Sequence, residues 1–177
     1  KKMHAEIKIS VIKLSSLSNF SDLDPLEAEP SIELQWIEPG DFLGSPDAVI
    51  LPGSKQTIKD LEQLLKSDLF DQIKSYAKQG GNIFGICGGM QMLGRSLEDP
   101  HCLEKNINQN SSKTFYGLNL MPIHTIFNQK KSLSRREVMA IWPGSTMLKG
   151  FELHHGITKA IQEKDATMTA IIEEPGL

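Results

Sequence analysis

The stretch that most restricts how this chain can fold is residues 82–94, NIFGICGGMQMLG. A short apolar run ends in Cys87, glycines stand at 85, 88 and 89, and an amphipathic run starts at once. The form G-x-C-x-G is the cysteine counterpart of the strand–turn–helix nucleophile elbow. In such a turn the nucleophile has strained backbone angles and the following helix packs closely on neighbouring strands. Side chains at 85 and 89 would collide there, which suits Gly85 and Gly89. The elbow also sets the sulfur at a helix N-terminus, where the dipole and free N–H groups favour negative charge. The bland alternative is an inert cysteine buried at a glycine-rich strand end.

The segments around the elbow follow an alternating order. Residues 7–14 (IKISVIKL) alternate and are rich in β-branched side chains, so they predict a first strand. Residues 15–30 are polar, with Asn19, Asp22 and Asp24-Pro25, and predict a loop holding one short helix. Residues 32–37 predict a second strand, closed by Pro39-Gly40. Residues 48–51 (AVIL) have the continuous apolar character of a buried parallel strand. Pro52-Gly53-Ser54 breaks that run, and Ile58, Leu61, Leu64 and Leu65 then recur at helical spacing. A second helix carries Leu69, Phe70, Ile73, Tyr76 and Ala77 on one face and ends at Gly80-Gly81. The strand at 83–86 and the Cys87 elbow complete a pattern that predicts a parallel sheet with helices on both faces. Past Leu97 the character changes. Residues 99–113 read as an exposed polar excursion, and 115–127, 135–142, 150–155 and 168–172 read as strands with little helix between them.

Two turns in this layout fall at the C-terminal ends of neighbouring parallel strands, 52–54 and 87–89, and ligands of open α/β sheets bind at that edge. A cysteine nucleophile there needs backbone N–H groups aimed at the charge developing on a carbonyl oxygen. Gly88 follows the nucleophile at the helix start, and Gly53, without a side chain, lets a substrate reach the backbone of the facing turn. An ordinary turn glycine is the alternative for Gly53.

The remaining composition excludes more than it selects. A length of 177 residues is about one domain. A net charge of −3 with no basic stripe argues against a nucleic-acid partner, and no apolar run is long enough for a membrane span. The two cysteines, Cys87 and Cys102, form neither a disulfide framework nor a C-x-x-C pair, which fits a reduced, cytoplasmic setting. The chain opens at Lys1-Lys2 and stops at Gly176-Leu177, and so is expected to be a piece of something longer.

Taken together, VILPGSKQTIKDLEQL (49–64) and GGNIFGICGGMQMLGRSLEDP (80–100) resemble the glutamine amidotransferase domain of cobyric acid synthase. So do the entry segment at 7–36, GLNLMPIHTIF (117–127) and GFELHHG (150–156), all in the order of that family. The resemblance implies a flavodoxin-like α/β fold with a largely parallel sheet, residues 7–177 forming the amidotransferase domain and 1–6 a linker from a preceding domain. It implies Cys87 as nucleophile toward the side-chain amide of glutamine, with the oxyanion held by the N–H groups of Gly53 and Gly88. Ser54, Gln91 and His154 are the implied substrate-binding positions. Gln91 also reads as a solvent-facing helix residue, and His154, like His155, as a strand histidine capping a sheet edge. Ammonia would pass to an ATP-using synthetase domain of the same polypeptide, which amidates adenosylcobyrinic acid a,c-diamide in cobalamin biosynthesis. ATP and magnesium belong to that domain, and no cofactor is expected in this one.

One departure stands out. The family's catalytic histidine lies in a late G-T-Y-x-H-G segment, and this chain ends before any such segment, so the fragment is expected to be weakly active or inactive. His4, His101 and His124 read as bystanders. His101, Cys102 and the His154-His155 pair lack zinc-ligand spacing, so no metal is expected. Residues 53–55 lack a P-loop frame. Two rivals are another cysteine hydrolase of related fold, such as a peptidase, and a docking or regulatory domain that retains the elbow without catalysis. Cys102 follows Asp99-Pro100-His101 without a glycine turn or a helix start. A glutamine-mimicking electrophile is therefore expected to alkylate Cys87 and spare Cys102; peptide mapping that found the label mainly on Cys102 would defeat the assignment.

Overall fold

The computed structural model describes residues 5–104, 114–162, 167–169 and 172–173, with backbone alone for 130–132, 152–155 and 172–173. Four parallel strands form the first sheet: β1 (Ile7–Ile12), β2 (Ile32–Ile37), β3 (Ala48–Leu51) and β4 (Asn82–Gly85), in the order β2-β1-β3-β4. The register pairs Ile9 with Leu34 and Ala48, and Val49 with Ile83. The central β3 (AVIL) is continuously apolar and nearly all buried, as a parallel strand between two neighbours is, whereas the edge strands β2 and β4 carry exposed residues.

Helices lie on both faces, unequally. On one face pack α2 (Thr57–Leu65), α3 (Leu69–Lys78) and α4 (Gly88–Leu93). Ile58, Leu61 and Leu64 of α2 and Leu69 and Ile73 of α3 join Ile12, Val49, Leu51 and Met92 in the main core. The i, i+3, i+4 spacing expected from the sequence accounts for this face. Among the described residues the other face is covered by a 3₁₀ turn (Phe20–Leu23) and the five-residue α1 (Asp24–Ala28), which bring Leu23 and Leu26 onto Ile9, Val11 and Ile50. The tilted Phe20–Trp36 ring pair, with centroids 5.6 Å apart, extends this thin layer. Phe84 on β4 remains 59% exposed on it.

A second sheet holds β5 (Ser96–Glu98), β6 (Thr114–Tyr116), β7 (Ile123–Ala140), β8 (Thr146–Ala160) and β9 (Ile172–Glu173). Its order is β6-β5-β7-β8, with β9 on β7, and all its pairings are antiparallel except β5–β7. The sequence expectations for this half are corrected in three ways. The expected strand at 115–127 divides, because residues 117–121 turn back and donate to the carbonyls of Arg95, Met92, Gly94 and Leu93. The segments at 135–142 and 150–155 belong to one long hairpin. The polar excursion begins as packed structure: Asp99 is buried and accepts from the N–H groups of Leu103 and Glu104. Residues 105–113 lie outside the described set, as do 170–171 of the strand expected at 168–172.

Leu61 is fully buried at the centre of the main core. Leu61→Ala is expected to destabilise the domain by about 2–5 kcal/mol, read as a lower urea midpoint at unchanged slope.

Candidate functional site: a cysteine elbow beside a glycine turn

Cys87 stands between β4 and α4 with φ 48° and ψ −109°, a conformation that side chains other than glycine's rarely adopt. The surroundings hold it there. The Ile86 N–H donates to the Leu51 carbonyl at 2.9 Å, Gly89 donates to Ile86 at 2.8 Å, and Gln91 donates to the Cys87 carbonyl at 3.1 Å. The flanking glycines answer close backbone contacts. A Cβ on Gly89 would stand 2.0 Å from the Leu51 oxygen, and one on Gly85 would stand 2.6 Å from the Met90 Cα. Neither obstacle is a flexible side-chain end, so any substituent would displace the elbow.

The turn after β3 lies against this elbow. A Cβ on Gly88 would lie 3.0 Å from both the Ser54 nitrogen and the Thr57 hydroxyl, and one on Gly53 would lie 3.8 Å from the Ile86 oxygen. Gly88 is the first residue of α4, where a backbone N–H has no intrahelical acceptor. Cys87 is exposed, and among the described residues its sulfur makes no hydrogen bond to a histidine. Three concavities, of about 520, 680 and 700 Å³, are lined in part by Tyr76, Lys74 and His124 respectively and do not include Cys87.

The other positions singled out in the sequence are distributed as follows. Gln91 sits one turn into α4 and is buried. The Ser54 hydroxyl donates to Asp60 Oδ2 at 2.6 Å, so its oxygen is already engaged within the fold. His154 lies on β8 with its backbone opposite Ser132; the side chains of His154 and His155 are outside the described residues, as is His4. His124 is on β7, with Nδ1 2.7 Å from Ser96 Oγ and Nε2 3.6 Å from Glu98. Cys102 also has a positive φ, 53°, but it sits in a turn and opens no helix.

Two carboxylates without a functional signal in the sequence organise the 53–54 turn. Asp60, only 2% exposed, accepts from Ser54 Oγ, from Ser15 Oγ at 2.6 Å and from the Ser16 N–H at 3.2 Å. It thereby joins the loop after β1 to the turn after β3. Glu104 reaches across from the β5 side and accepts the Ile58 N–H at 2.8 Å, capping α2 beside Thr57. The sequence signal for Asp60 was an acidic residue on the apolar face of a helix, one position before Leu61. Glu104 had no such signal, because its partner is 46 positions away.

Burial pushes the Glu104 carboxyl above its ordinary value of 4.5; hydrogen bonds from Ile58 and Thr57 oppose the shift and the nearby Asp99 charge adds to it. A carboxyl whose folded value is raised binds more protons folded than unfolded, so its contribution favours the fold below 4.5 and is lost as pH rises through the raised value. Glu104→Gln keeps an acceptor for Ile58 and cannot ionise. Its stability is therefore expected to gain on wild type across that window, measured as the difference between paired urea melts from pH 4 upward. A constant difference across the window would remove the linkage.

Over residues 8–176 the chain matches the CobB/CobQ-like glutamine amidotransferase domain. It is 53% identical over 177 residues to a cobyric acid synthase of Prochlorococcus marinus (strain MIT 9313), covering 100% of this chain and 35% of the relative. It is 54% identical over 172 residues to a cobyric acid synthase of Parasynechococcus marenigrum (strain WH8102), covering 97% and 33%. The chain thus spans about a third of the length of the curated relatives it matches. Among solved structures, PurLQS from Thermotoga maritima superposes with a TM-score of 0.60 at 14% identity, over 89% of this chain and 71% of that one. A crystal structure of a glutamine amidotransferase superposes with a TM-score of 0.62 at 16% identity, over 88% and 75%. At those identities the superpositions establish the α/β fold alone. The sequence match extends through both turns of the site, and the chain belongs to the CobB/CobQ-like glutamine amidotransferase domains, of the kind carried by cobyric acid synthase.

Proposed function

We propose that this domain hydrolyses glutamine through a Cys87 thioester and supplies ammonia to an ATP-dependent amidation of adenosylcobyrinic acid a,c-diamide. The observation that supports it most is the juxtaposition of the strained Cys87 elbow with the 53–54 turn at one sheet edge. In this reading the Cys87 sulfur adds to the δ-carbon of glutamine. The N–H groups of Gly53 and Gly88 hold the oxyanion, worth about 10²–10³ in rate for each such donor. Collapse of the tetrahedral adduct breaks the C–N bond, and ammonia leaves with a proton from a general acid. Water then adds to the γ-glutamyl thioester, glutamate departs and the sulfur is released.

Gln91 and His154 contribute to the glutamine site. Ser54 does so through its backbone, because Asp60 engages its hydroxyl. Residues 7–177 form the amidotransferase unit, and 1–6 lead from a synthetase region that uses ATP and magnesium, in a cytoplasmic setting. No cofactor enters the glutaminase step itself.

The test is glutamate release together with trapping of the thioester in the whole natural polypeptide carrying this sequence, late histidine segment included. Cys87→Ala is expected to abolish both. His154→Ala is expected to raise KM several-fold with kcat nearly unchanged, the sign of lost substrate binding. A fall confined to kcat with a shifted pH–rate profile would instead make His154 the general acid. Glutamate release persisting in Cys87→Ala would overturn the mechanism.

A further inference from the structure

The β7–β8 hairpin divides at the register shift between Ile126 and Lys131. Before it, Ile123, Thr125 and Phe127 are buried in the body of the domain. After it, the strand pair continues to Ala140 and Thr146, roughly 30 Å at about 3.3 Å per residue, and its other described strand neighbour there is β9 at Met139 and Ala140. Arg135 faces Phe151 and Met139 faces Met147 across the pair, so Leu133, Phe151 and Met147 share one face, interrupted by Arg135 and by the Lys149–Glu137 ion pair. They are 69%, 72% and 53% exposed, and Trp142 beyond the end of β7 is 68% exposed. A ribbon of two strands is marginal in water by itself, and clustered exposed apolar side chains mark contact surfaces.

Charge and chain length bear on what covers it. Residues 123–160 carry six Lys and Arg against two Glu and no Asp, in a chain whose net charge is −3. The complementary surface is therefore apolar with an acidic rim. The matched stretch is 35% of the relative's polypeptide, so the larger part of such a chain is tethered beside it. A tether supplies an effective concentration on the order of millimolar, enough for a small contact with little free-standing affinity. A second copy of this domain, whose body is acidic, is the competing occupant.

We propose that the β7–β8 arm docks through Leu133, Met147, Phe151 and Trp142 onto an apolar, acid-rimmed surface of the same natural polypeptide outside the amidotransferase domain. The contact holds the ammonia-producing domain against the ammonia-using one. That consequence rests on the amidotransferase reading; the contact itself does not.

The test uses the whole natural polypeptide carrying this sequence, with benzoylphenylalanine introduced at Phe151 or Trp142, and at exposed Lys78 on α3 as the control. Irradiation and peptide mapping are expected to link the arm probes, but not the control, to a segment outside the amidotransferase domain; links to that domain's own late histidine segment overturn the proposal. Links to a second copy of this domain, or no arm link above the control, overturn the proposal. In parallel, Met147→Asp with Phe151→Asp is expected to leave glutamine hydrolysis and ammonia-supported amidation unchanged. Amide formed per glutamine hydrolysed is expected to fall about tenfold, the scale of losing one well-packed interface anchor. Unchanged coupling overturns the proposal. A polypeptide that hydrolyses no glutamine refutes the amidotransferase reading, while the cross-links still decide the docking.

Discussion

Everything at the candidate site depends on how closely two stretches of backbone approach each other. The start of α4 presses on the end of β3 until a Cβ on Gly89 would all but coincide with the Leu51 carbonyl oxygen, at 2.0 Å. That approach places Cys87 in its strained conformation, and the Ile86–Leu51 hydrogen bond keeps it there. A residue in a sparsely populated backbone region persists only when its surroundings over-determine it. Here the determinants are the parallel β3–β4 pairing, the two glycines and the first hydrogen bonds of a six-residue helix. The geometry belongs to the contact between two turns and to neither turn alone.

The facing turn is held by different means. In open α/β sheets the natural crevice lies where successive connections diverge, here between the C-terminal ends of β1 and β3. Asp60 fills that crevice with a buried carboxylate that gathers donors from Ser15, Ser16 and Ser54. Hydrogen bonds to a charged group are the stronger kind, and a buried carboxylate left without them is costly. The network ties the 53–54 turn to the loop after β1, and Cys87 sits one strand further along. Glu104 supports the same turn from the opposite direction by capping α2.

The legibility of the two halves differs for a physical reason. In the first half the central strands β1 and β3 are the more buried and each longer helix buries one face, so apolar runs and helical spacing translate directly into elements. Residues 32–37 and 48–51 agree with β2 and β3 end for end, and the helix patterns led by Ile58 and Leu69 agree with α2 and α3. In the second half the strands pair across long separations and one hairpin exposes both apolar and charged side chains. Alternation is weak there, and the single strands β7 and β8 looked like shorter pieces. The break at 117–121 escaped notice because those residues bond to backbone carbonyls of 92–95, contacts that leave no periodic trace.

By itself the sequence determined the parallel α/β core, the elbow with its Cys87, and the likeness to an amidotransferase domain, because each is written in neighbouring residues. Glycine spacing, β-branched runs and helical periodicity are local properties, and close packing leaves few other ways to satisfy them. Only the tertiary structure decided how closely the 53–54 turn approaches the 87–88 elbow, that Asp60 and Glu104 brace it, and that a long β7–β8 arm bears exposed apolar side chains. Those arrangements join residues such as Ser15 with Asp60, or Ile58 with Glu104, which lie 45 and 46 positions apart. No local pattern encodes such pairs, because a polar side chain reads alike whether water or a distant backbone group satisfies it.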